Sequence, residues 1–237
     1  MRYLLEVVQL TPDDVRTNNS IAVKRSLIAG HLPLAQYVID QAKLTLEDLQ
    51  NRNDYNNGSR DYAHYDNAFV GACYFGHLHV VRYLFETMKM TLADVRCCNN
   101  YALRYSCEMG QLDIVRYLID VVGLTVDDVR MCNNAALRYA CFRGRLHVVR
   151  YLLEKVKLTV EDARALDCHC VKMACIYSNE QLVAYLLENI NWSAKDLLTI
   201  QKFAQEYHGK KLMSPKISSY LLQKTASSHQ FNSDANL

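Results

Sequence analysis

One stretch of the sequence decides the fold: residues 133–164 read NNAALRYACFRGRLHVVRYLLEKVKLTVEDAR. In the segment before Gly144, small or apolar side chains at i, i+1, i+4 and i+5 predict a short buried helix, and the glycine suits a left-handed helix end. The next segment, LHVVRYLLEKV, places apolar side chains on one helical face. The stretch therefore predicts two antiparallel helices followed by the short segment LTVEDAR.

The same unit recurs along the chain. Residues 99–130 read NNYALRYSCEMGQLDIVRYLIDVVGLTVDDVR, and the tyrosine of the second helix returns every 34 residues apart from one spacing of 46. These tyrosines are Tyr3, Tyr37, Tyr83, Tyr117, Tyr151 and Tyr185. Because a fixed period of this length is the signature of repeat architectures, we predict stacked helix pairs with one insertion between Tyr37 and Tyr83.

A Thr/Ser-x-x-Asp pattern follows the second helix of each unit. A hydroxyl and a carboxylate at this spacing satisfy the free N–H groups at a helix start. The pattern therefore predicts a short capped helical turn in every repeat. It occurs at Thr11 and Asp14, Thr45 and Asp48, Thr91 and Asp94, Thr125 and Asp128, Thr159 and Asp162, and Ser193 and Asp196.

The composition also indicates an all-α protein. Among 237 residues there are only 8 Gly and 3 Pro, which is few for the tight turns of an all-β fold. Half of the residues are hydrophobic, which is enough to form a buried core. The net charge of +2 excludes a polybasic protein. The sequence contains nine cysteines, and its first residues lack the apolar segment of a secretory signal peptide. No apolar run approaches the ~18 residues of a membrane span. We expect a soluble protein of the reducing cytoplasm.

The helix pair resembles the ankyrin repeat. The run A-L-R-x-A-C-x-x-G-x-L-x-V-V-R-Y-L is similar to the family pattern T-P-L-H-x-A-A-x-x-G-H-x-E-V-V-x-L-L, and Gly76-His77 reproduces its Gly-His pair. The resemblance covers residues 1–208 and implies an ankyrin-like helical solenoid of paired antiparallel helices with a short capped turn per repeat. The Thr-Pro of the pattern is absent. Its His is replaced by Lys24, Arg104, Arg138 and Lys172.

A tetratricopeptide array is the alternative solenoid, since it shares a period of ~34 residues. Its Trp-x2-Leu-Gly-x2-Tyr signature is missing, and the single tryptophan, Trp192, follows the last complete helix pair. The sequence therefore favours ankyrin repeats. The NNxALRxA and LTxDDVR pattern is also similar to repeat arrays of giant viruses and intracellular pathogens, which implies a host protein as partner and the host-cell cytosol as location.

The period divides the chain into repeats. We predict a partial N-terminal repeat, five repeats interrupted by a loop insertion, a degenerate C-terminal capping repeat and a disordered tail. In chain order these are 1–17 (partial), 18–51, 52–63 (insertion), 64–97, 98–131, 132–165, 166–198, 199–225 (capping) and 226–237 (tail). The partial repeat lacks a first helix, so its apolar face is expected to be covered by self-association or by further repeats of a longer array.

No catalytic or cofactor-binding pattern is present. Four cysteines lie 34 residues apart and are expected to fill one buried position of the first helix. They are Cys73, Cys107, Cys141 and Cys175. The Cys168-His169-Cys170 sequence lacks the four convergent ligands of a structural zinc site. We expect a protein that is not an enzyme and holds no cofactor and no metal.

The resemblance implies where a partner binds. In ankyrin arrays the binding surface includes the two residues before the glycine that ends the first helix. Those pairs are Ile28-Ala29, Tyr74-Phe75, Glu108-Met109, Phe142-Arg143 and Ile176-Tyr177. Such an apolar row with aromatic and Met anchors indicates a protein partner on the concave face, unless the side chains are buried against the second helices. Tyr55 and Tyr62 of the insertion are added because aromatic residues are enriched in recognition surfaces.

Repeated arginines give the alternative function. The repeated arginines form three rows: Arg82, Arg116 and Arg150 on the second helix, Arg104 and Arg138 on the first, and Arg16, Arg96, Arg130 and Arg164 after the capped turn. Rows of arginine can follow phosphates, so nucleic-acid or acidic-surface binding is the second hypothesis. Since repeated Asp and Glu residues lie within reach, we expect ion pairs inside the array to engage these arginines, which makes nucleic-acid binding the weaker hypothesis.

Overall fold

The structure is a computed structural model. It describes residues 11–16, 20–50, 67–177, 179–208 and 215–223. Every secondary-structure element within these ranges is a helix, which confirms the all-α prediction. Residues 1–10, the predicted insertion 52–63 and the predicted tail 226–237 lie outside the described residues.

The helices follow the predicted order of first helix, second helix and capped turn. They are α1 Pro12–Arg16, α2 Ile21–Ile28, α3 Leu32–Ala42, α4 Leu46–Gln50, α5 Ala68–Phe75, α6 Leu78–Arg82, α7 Leu92–Val95, α8 Cys97–Met109, α9 Leu112–Arg116, α10 Val126–Phe142, α11 Leu146–Arg150, α12 Val160–Ile176, α13 Glu180–Asn189 and α14 Ala194–His208. Residues 215–223 are also helical. Three π-helical segments follow α6, α9 and α11, namely Tyr83–Thr87, Tyr117–Val121 and Tyr151–Lys155.

The chain divides into two compact units. The first comprises Met1–Ser106 and Asp113–Leu124, and the second comprises Cys107–Leu112 and Thr125–Leu237. Within the first unit, α2 packs on α3 and on α5, and α5 packs on α6. Within the second, α10 packs on α11 and α12, and α12 packs on α13 and α14. Each unit thus stacks a first helix on its own second helix and on the first helix of the next repeat, as repeat proteins do.

The first helices form the centre of each unit because their small side chains allow close approach. The six residues from Ala68 to Cys73 in α5 are all buried. The stripe predicted from the repeat is confirmed in α10, where each of its side chains is 0% exposed: Ala136, Leu137, Ala140 and Cys141. The helix then ends as predicted at Gly144, whose φ of 67° is left-handed. A Cβ at Gly144 would lie 1.9 Å from Nδ2 of Asn179.

The second helices of three repeats end in a π-helical segment. After Arg150 the helix widens into a π turn, in which the N–H of Val156 donates to the carbonyl of Tyr151 at 3.1 Å. The N–H of Leu158 then donates to the carbonyl of Leu152 at 3.1 Å. The helix predicted across LHVVRYLLEKV is therefore present, with π geometry in its second half that the sequence analysis did not specify. A π turn contains one residue more than an α turn, which suits a repeat one residue longer than the ~33 of the family pattern.

The capped turns are confirmed. In all six Thr/Ser-x-x-Asp sequences the backbone N–H of the Thr or Ser donates to Oδ2 of the Asp at 2.7–2.9 Å. The reciprocal bond is also formed, for example from the N–H of Asp94 to Oγ1 of Thr91 at 3.2 Å. Each such pair opens a helix, so the pattern defines a structural element of the repeat.

A left-handed turn that the sequence analysis did not predict lies between the capped turn and the next first helix. Cys132, Asn133 and Asn134 have φ values of 55°, 56° and 56°, and residues 98–100 and 166–168 repeat this conformation. Non-glycine residues seldom adopt it, at a cost of about 1–2 kcal/mol each, although Asn tolerates it best. The recurring Asn-Asn sequence therefore marks a strained junction.

The arginine of the first helix stabilises this junction. Nε of Arg138 donates to the carbonyl of Asn133 at 2.8 Å, and its Nη2 donates to the carbonyl of Cys132 at 3.1 Å. Arg104 makes the corresponding bond to the carbonyl of Cys98 at 3.2 Å. Arginine at the position of the family's His thus binds the backbone of the left-handed turn.

Candidate functional site

The predicted partner-binding residues lie in the last turn of the first helices. Phe75 and Tyr177 are the most exposed, at 51% and 52% of their surface. Arg143 is exposed, and the remaining side chains are half-buried: Tyr74, Glu108, Met109, Phe142 and Ile176. None of these eight described side chains is buried, so the alternative of burial against the second helices does not hold. Tyr55 and Tyr62 lie outside the described residues.

In the first unit the predicted pair belongs to a larger group, the N-terminal aromatic cluster, formed by Tyr74, Phe75, His77, Tyr101 and Tyr105. The ring of Tyr74 lies edge-to-face on Phe75 at 4.9 Å and on Tyr105 at 5.7 Å between centroids. Tyr101 stacks on Tyr105 at 5.2 Å with an interplanar angle of 13°. Each such pair contributes about 0.5–1.5 kcal/mol beyond area burial, so the rings hold one another in place.

His77 extends this cluster at the helix end. Its ring stacks on Phe75 at 6.4 Å with an interplanar angle of 27°. Burial lowers the pKa of His77, and the nearby His79 and His31 lower it further. His79 in turn contacts the carbonyl of Gly30 through Nε2 at 2.9 Å. At neutral pH the imidazole of His77 is therefore uncharged and continues the apolar surface of Phe75.

In the second unit two predicted residues meet in the C-terminal aromatic pair, formed by Phe142 and Tyr177. Their rings lie edge-to-face at 4.6 Å, although the residues belong to successive repeats. The guanidinium of Arg143 lies 5.1 Å from the Phe142 ring and donates to Oε1 of Glu108 at 3.0 and 2.9 Å. The structure thus brings together four of the predicted residues through ring contacts and one ion pair.

Sequence reasoning missed three members of the N-terminal aromatic cluster. His77 follows the helix-ending Gly76, and Tyr105 and Tyr101 lie about one and two turns before the helix-ending Gly110. Only the two residues that precede each glycine were considered in the sequence analysis. The spacing of Tyr101 and Tyr105 is i, i+4, which places both on one face of a helix. That spacing was the signal available in the sequence.

The arginines after the capped turns form ion pairs with the next repeat, as expected. Arg130 donates through Nε and Nη2 to the two carboxylate oxygens of Asp162 at 2.9 and 3.0 Å. Arg164 donates through Nε to Oδ2 of Asp196 at 2.7 Å. Burial opposes ionisation of Asp162, yet the bonds from Arg130 and Thr159 lower its pKa overall. Because these guanidinium groups already have carboxylate partners, this row of arginines is less suited to bind the phosphates of a nucleic acid.

The repeated tyrosines of the second helices form a further row of contacts. Oη of Tyr117 donates to Oε1 of Glu86 at 2.8 Å, and Oη of Tyr185 donates to Oε1 of Glu154 at 2.9 Å. Burial and then the bond to glutamate raise the pKa of each tyrosine to about 12. Arg82 lies over the Tyr117 ring at 5.4 Å, so this arginine also has an intramolecular contact.

The cysteines occupy two kinds of position. The four at the 34-residue spacing are buried as predicted: Cys73, Cys107, Cys141 and Cys175. Burial raises the pKa of their thiols, which makes them poor nucleophiles and ligands. At the junction, Sγ of Cys168 lies 3.9 Å from Oδ1 of Asp196. Across the part of the chain that the structure describes, no group of three or more His, Cys, Asp or Glu side chains is arranged to hold a metal ion.

The comparisons with known proteins agree with this geometry. The family model described as ankyrin repeats (3 copies) matches residues 20–129. No curated protein matches the chain. Within the described residues, none of the helices has the length and apolar character needed to cross a membrane. The paired helices, their left-handed glycine ends and the family match together lead to one assignment: the chain contains ankyrin repeats over residues 20–129.

Proposed function

We propose that this protein is a non-enzymatic interaction module that binds a partner polypeptide across the ends of its first helices, on the face that is concave in ankyrin arrays. Ankyrin repeats are generally protein–protein interaction modules. One observation carries the finer proposal. Phe75 and Tyr177 each leave half of an aromatic side chain exposed at the position that the family uses for binding.

The surroundings of these two side chains favour binding over an incidental exposure. Tyr74 and His77 contact the Phe75 ring, and Phe142 contacts the Tyr177 ring. A ring that is already held loses little conformational entropy when a partner covers it, which is the benefit of preorganisation. Covering the exposed half of one ring is worth about 1 kcal/mol, since full burial of such a side chain is worth about 1.5–3 kcal/mol.

The repeat pattern extends the proposal to the partner and the compartment. We infer a scaffold or adaptor role with a host protein as partner, in the cytosol of the host cell. The mechanism needs no chemical step, because a rigid surface that presents aromatic anchors is sufficient for recognition.

A display experiment tests the proposed surface. Peptides are selected from a random library against the full chain, and the affinity of one purified peptide is measured for the wild type and for the single variants Phe75→Ser and Tyr177→Ser. The matched control is Val121→Ser, which removes an exposed apolar side chain, 63% exposed, from the end of a second helix. Circular dichroism verifies that each variant is folded.

We expect Phe75→Ser or Tyr177→Ser to weaken binding by about fivefold or more, which corresponds to about 1 kcal/mol, and Val121→Ser to leave it unchanged. Equal affinity of all four proteins for every selected peptide would refute the proposed surface. A loss confined to Val121→Ser would place binding on the second helices instead.

A further inference from the structure

Charge is segregated between the helix layers of the first unit. Its described first helices and their junctions and glycine ends are 20–31, 67–77 and 97–106, and these segments contain no Asp or Glu. They do contain the cationic or titratable side chains Lys24, Arg25, His31, His77 and Arg104. Among the described residues of this unit, the carboxylates lie on the second helices and the capped turns, as Asp40, Glu86 and Asp94 do.

The second unit follows the same rule in its first helices. In residues 107–110, 131–144 and 165–177 two carboxylates occur, and each has a cationic partner within the unit. Glu108 accepts from Arg143 at 2.9 Å, and Asp167 accepts from Lys172. Within these described segments, every carboxylate thus has a cationic partner, whereas α14 adds the exposed Glu206 at the far end of the second unit.

Exposed cations and aromatic residues of the first unit occupy equivalent positions in successive repeats, and we call each set of equivalent positions a row. Counting by the repeat, with the longer spacing at the insertion, Arg25 corresponds to Gly71 and to Tyr105, and Ile21 corresponds to Tyr101. Gly71 has no side chain, so nothing projects from this row between Arg25 and Tyr105. Arg25 and Ile21 are both exposed. The row therefore joins an exposed cation to the N-terminal aromatic cluster.

Buried cations add to the potential of this layer. Lys24 and Arg104 are 3% and 7% exposed, and the guanidinium of Arg104 lies 4.1 Å from the Tyr101 ring. A charge in a partly water-excluded site is screened less than a charge in bulk solvent. The layer next to the aromatic cluster is therefore positive and apolar at once.

Resting on the proposed protein-binding function, we propose that the N-terminal aromatic cluster binds an acidic segment of a partner polypeptide, with apolar or aromatic side chains of that segment on Phe75 and Tyr74 and its carboxylates toward Arg25 and His31. Complementary potentials of this kind set specificity and raise the association rate. A basic segment would face repulsion from every uncompensated charge of the layer.

Two observations favour a polypeptide over single-stranded nucleic acid. Tyr74 meets its neighbours edge-to-face at 81° and 87°, so the rings do not form an open series of parallel platforms for successive bases. Lys24 and Arg104 are too deeply buried to contact phosphates. Exposed cations in this layer are therefore few for a surface that follows a phosphate backbone.

The test uses the full chain and three synthetic peptides with the same alternating Phe and Leu residues. The remaining positions are all Glu, all Lys or all Ser. The variant combines Arg25→Glu with His31→Asp, and Asp suits position 31 because this residue is the N-cap of α3. The matched control is Lys89→Glu, which reverses an exposed cation that follows the second helix.

We expect the wild type to bind the Glu peptide at least about tenfold more tightly than the Lys peptide, with a preference that shrinks as salt is added. The double variant should lose or reverse this preference, and Lys89→Glu should retain it. Equal binding of the Glu and Lys peptides, no binding of any peptide, or tighter binding of oligodeoxythymidine than of the Glu peptide would overturn the inference. If Phe75→Ser weakens all three peptides alike while no charge preference exists, the proposed function stands and this inference fails.

Discussion

Replacement of Tyr117 by phenylalanine tests the row of tyrosine–glutamate contacts that the repeat builds along its second helices. The ring of Tyr117 is 3% exposed, and its Oη donates to Glu86 at 2.8 Å. Phenylalanine retains the ring and its edge-to-face contact with Phe85 at 6.3 Å. The substitution therefore removes one hydrogen bond and little packing.

The size of the effect follows from the surroundings of this bond. A hydrogen bond to a charged group contributes about 1.5–3 kcal/mol, but Glu86 is exposed and can bind water once the hydroxyl is gone. We therefore expect Tyr117→Phe to lower the free energy of unfolding by about 1 kcal/mol. Tyr139→Phe is the matched control, since Tyr139 is a half-buried tyrosine of a first helix and lies outside the row of tyrosine–glutamate contacts.

The same contact predicts a loss of stability in alkaline solution. Burial and then Glu86 raise the pKa of Tyr117 from 10 to about 12, so the folded protein holds this proton more tightly than the unfolded chain. The stabilisation is complete below pH 10 and is lost as the pH rises toward 12. Tyr185 and Tyr220 have the same shift and contribute in the same direction.

Urea denaturation followed by circular dichroism measures the loss of stability in Tyr117→Phe at neutral pH. The same method between pH 9 and 11, below the folded-state pKa of about 12, measures the loss of stability in alkaline solution. The triple variant Tyr117→Phe, Tyr185→Phe, Tyr220→Phe should be less stable at neutral pH but should lose less stability than the wild type as the pH rises. Equal stability of Tyr117→Phe and the wild type at neutral pH, or an unchanged alkaline slope in the triple variant, would refute the reasoning.

Three further substitutions test the junctions and turns by urea denaturation. Arg138→Met removes two bonds to the left-handed turn and should cost about 1–2 kcal/mol, and a stability equal to the wild type would show that the turn does not need them. Gly144→Ala should lower the free energy of unfolding more than Gly123→Ala. Both glycines have a positive φ, but only at Gly144 would a new Cβ have a neighbour within 2 Å. Equal losses of stability would contradict this clash. Asp162→Asn should flatten the loss of stability in acid, since the lowered pKa of Asp162 gives a stabilisation present above pH 3.8 and lost as the pH falls below it. Asp127→Asn, at a carboxylate 92% exposed, should leave that acid slope unchanged.

The periodic features of the fold were predictable from the sequence. A glycine such as Gly144 and a pair such as Thr91 and Asp94 each fix a local conformation through their own backbone or side-chain bonds, and the 34-residue period shows the same choice several times. The buried stripe of the first helix was predictable for the same reason, since Ala and Cys recur where two helices approach closely.

Features that depend on contacts between repeats were harder to predict. Asn133 and Asn134 signalled a junction, but the left-handed turn depends on the bonds that Arg138 makes from the following helix. The π turn at Tyr151 has no signal of its own, because YLLEK is a good α-helical sequence. Tyr105 joined the candidate surface only when the structure showed its ring against Tyr74, which lies in the preceding repeat.

Photo-crosslinking from position 75 tests the central claim most directly. Phe75→benzoylphenylalanine retains an aromatic side chain at the exposed site, and Val121→benzoylphenylalanine is the control at an exposed site on a second helix. After irradiation with a selected peptide, we predict a covalent adduct from position 75 that excess unlabelled peptide prevents, and none from position 121. Adducts from position 121 alone would contradict the claim that the first helices bind the partner.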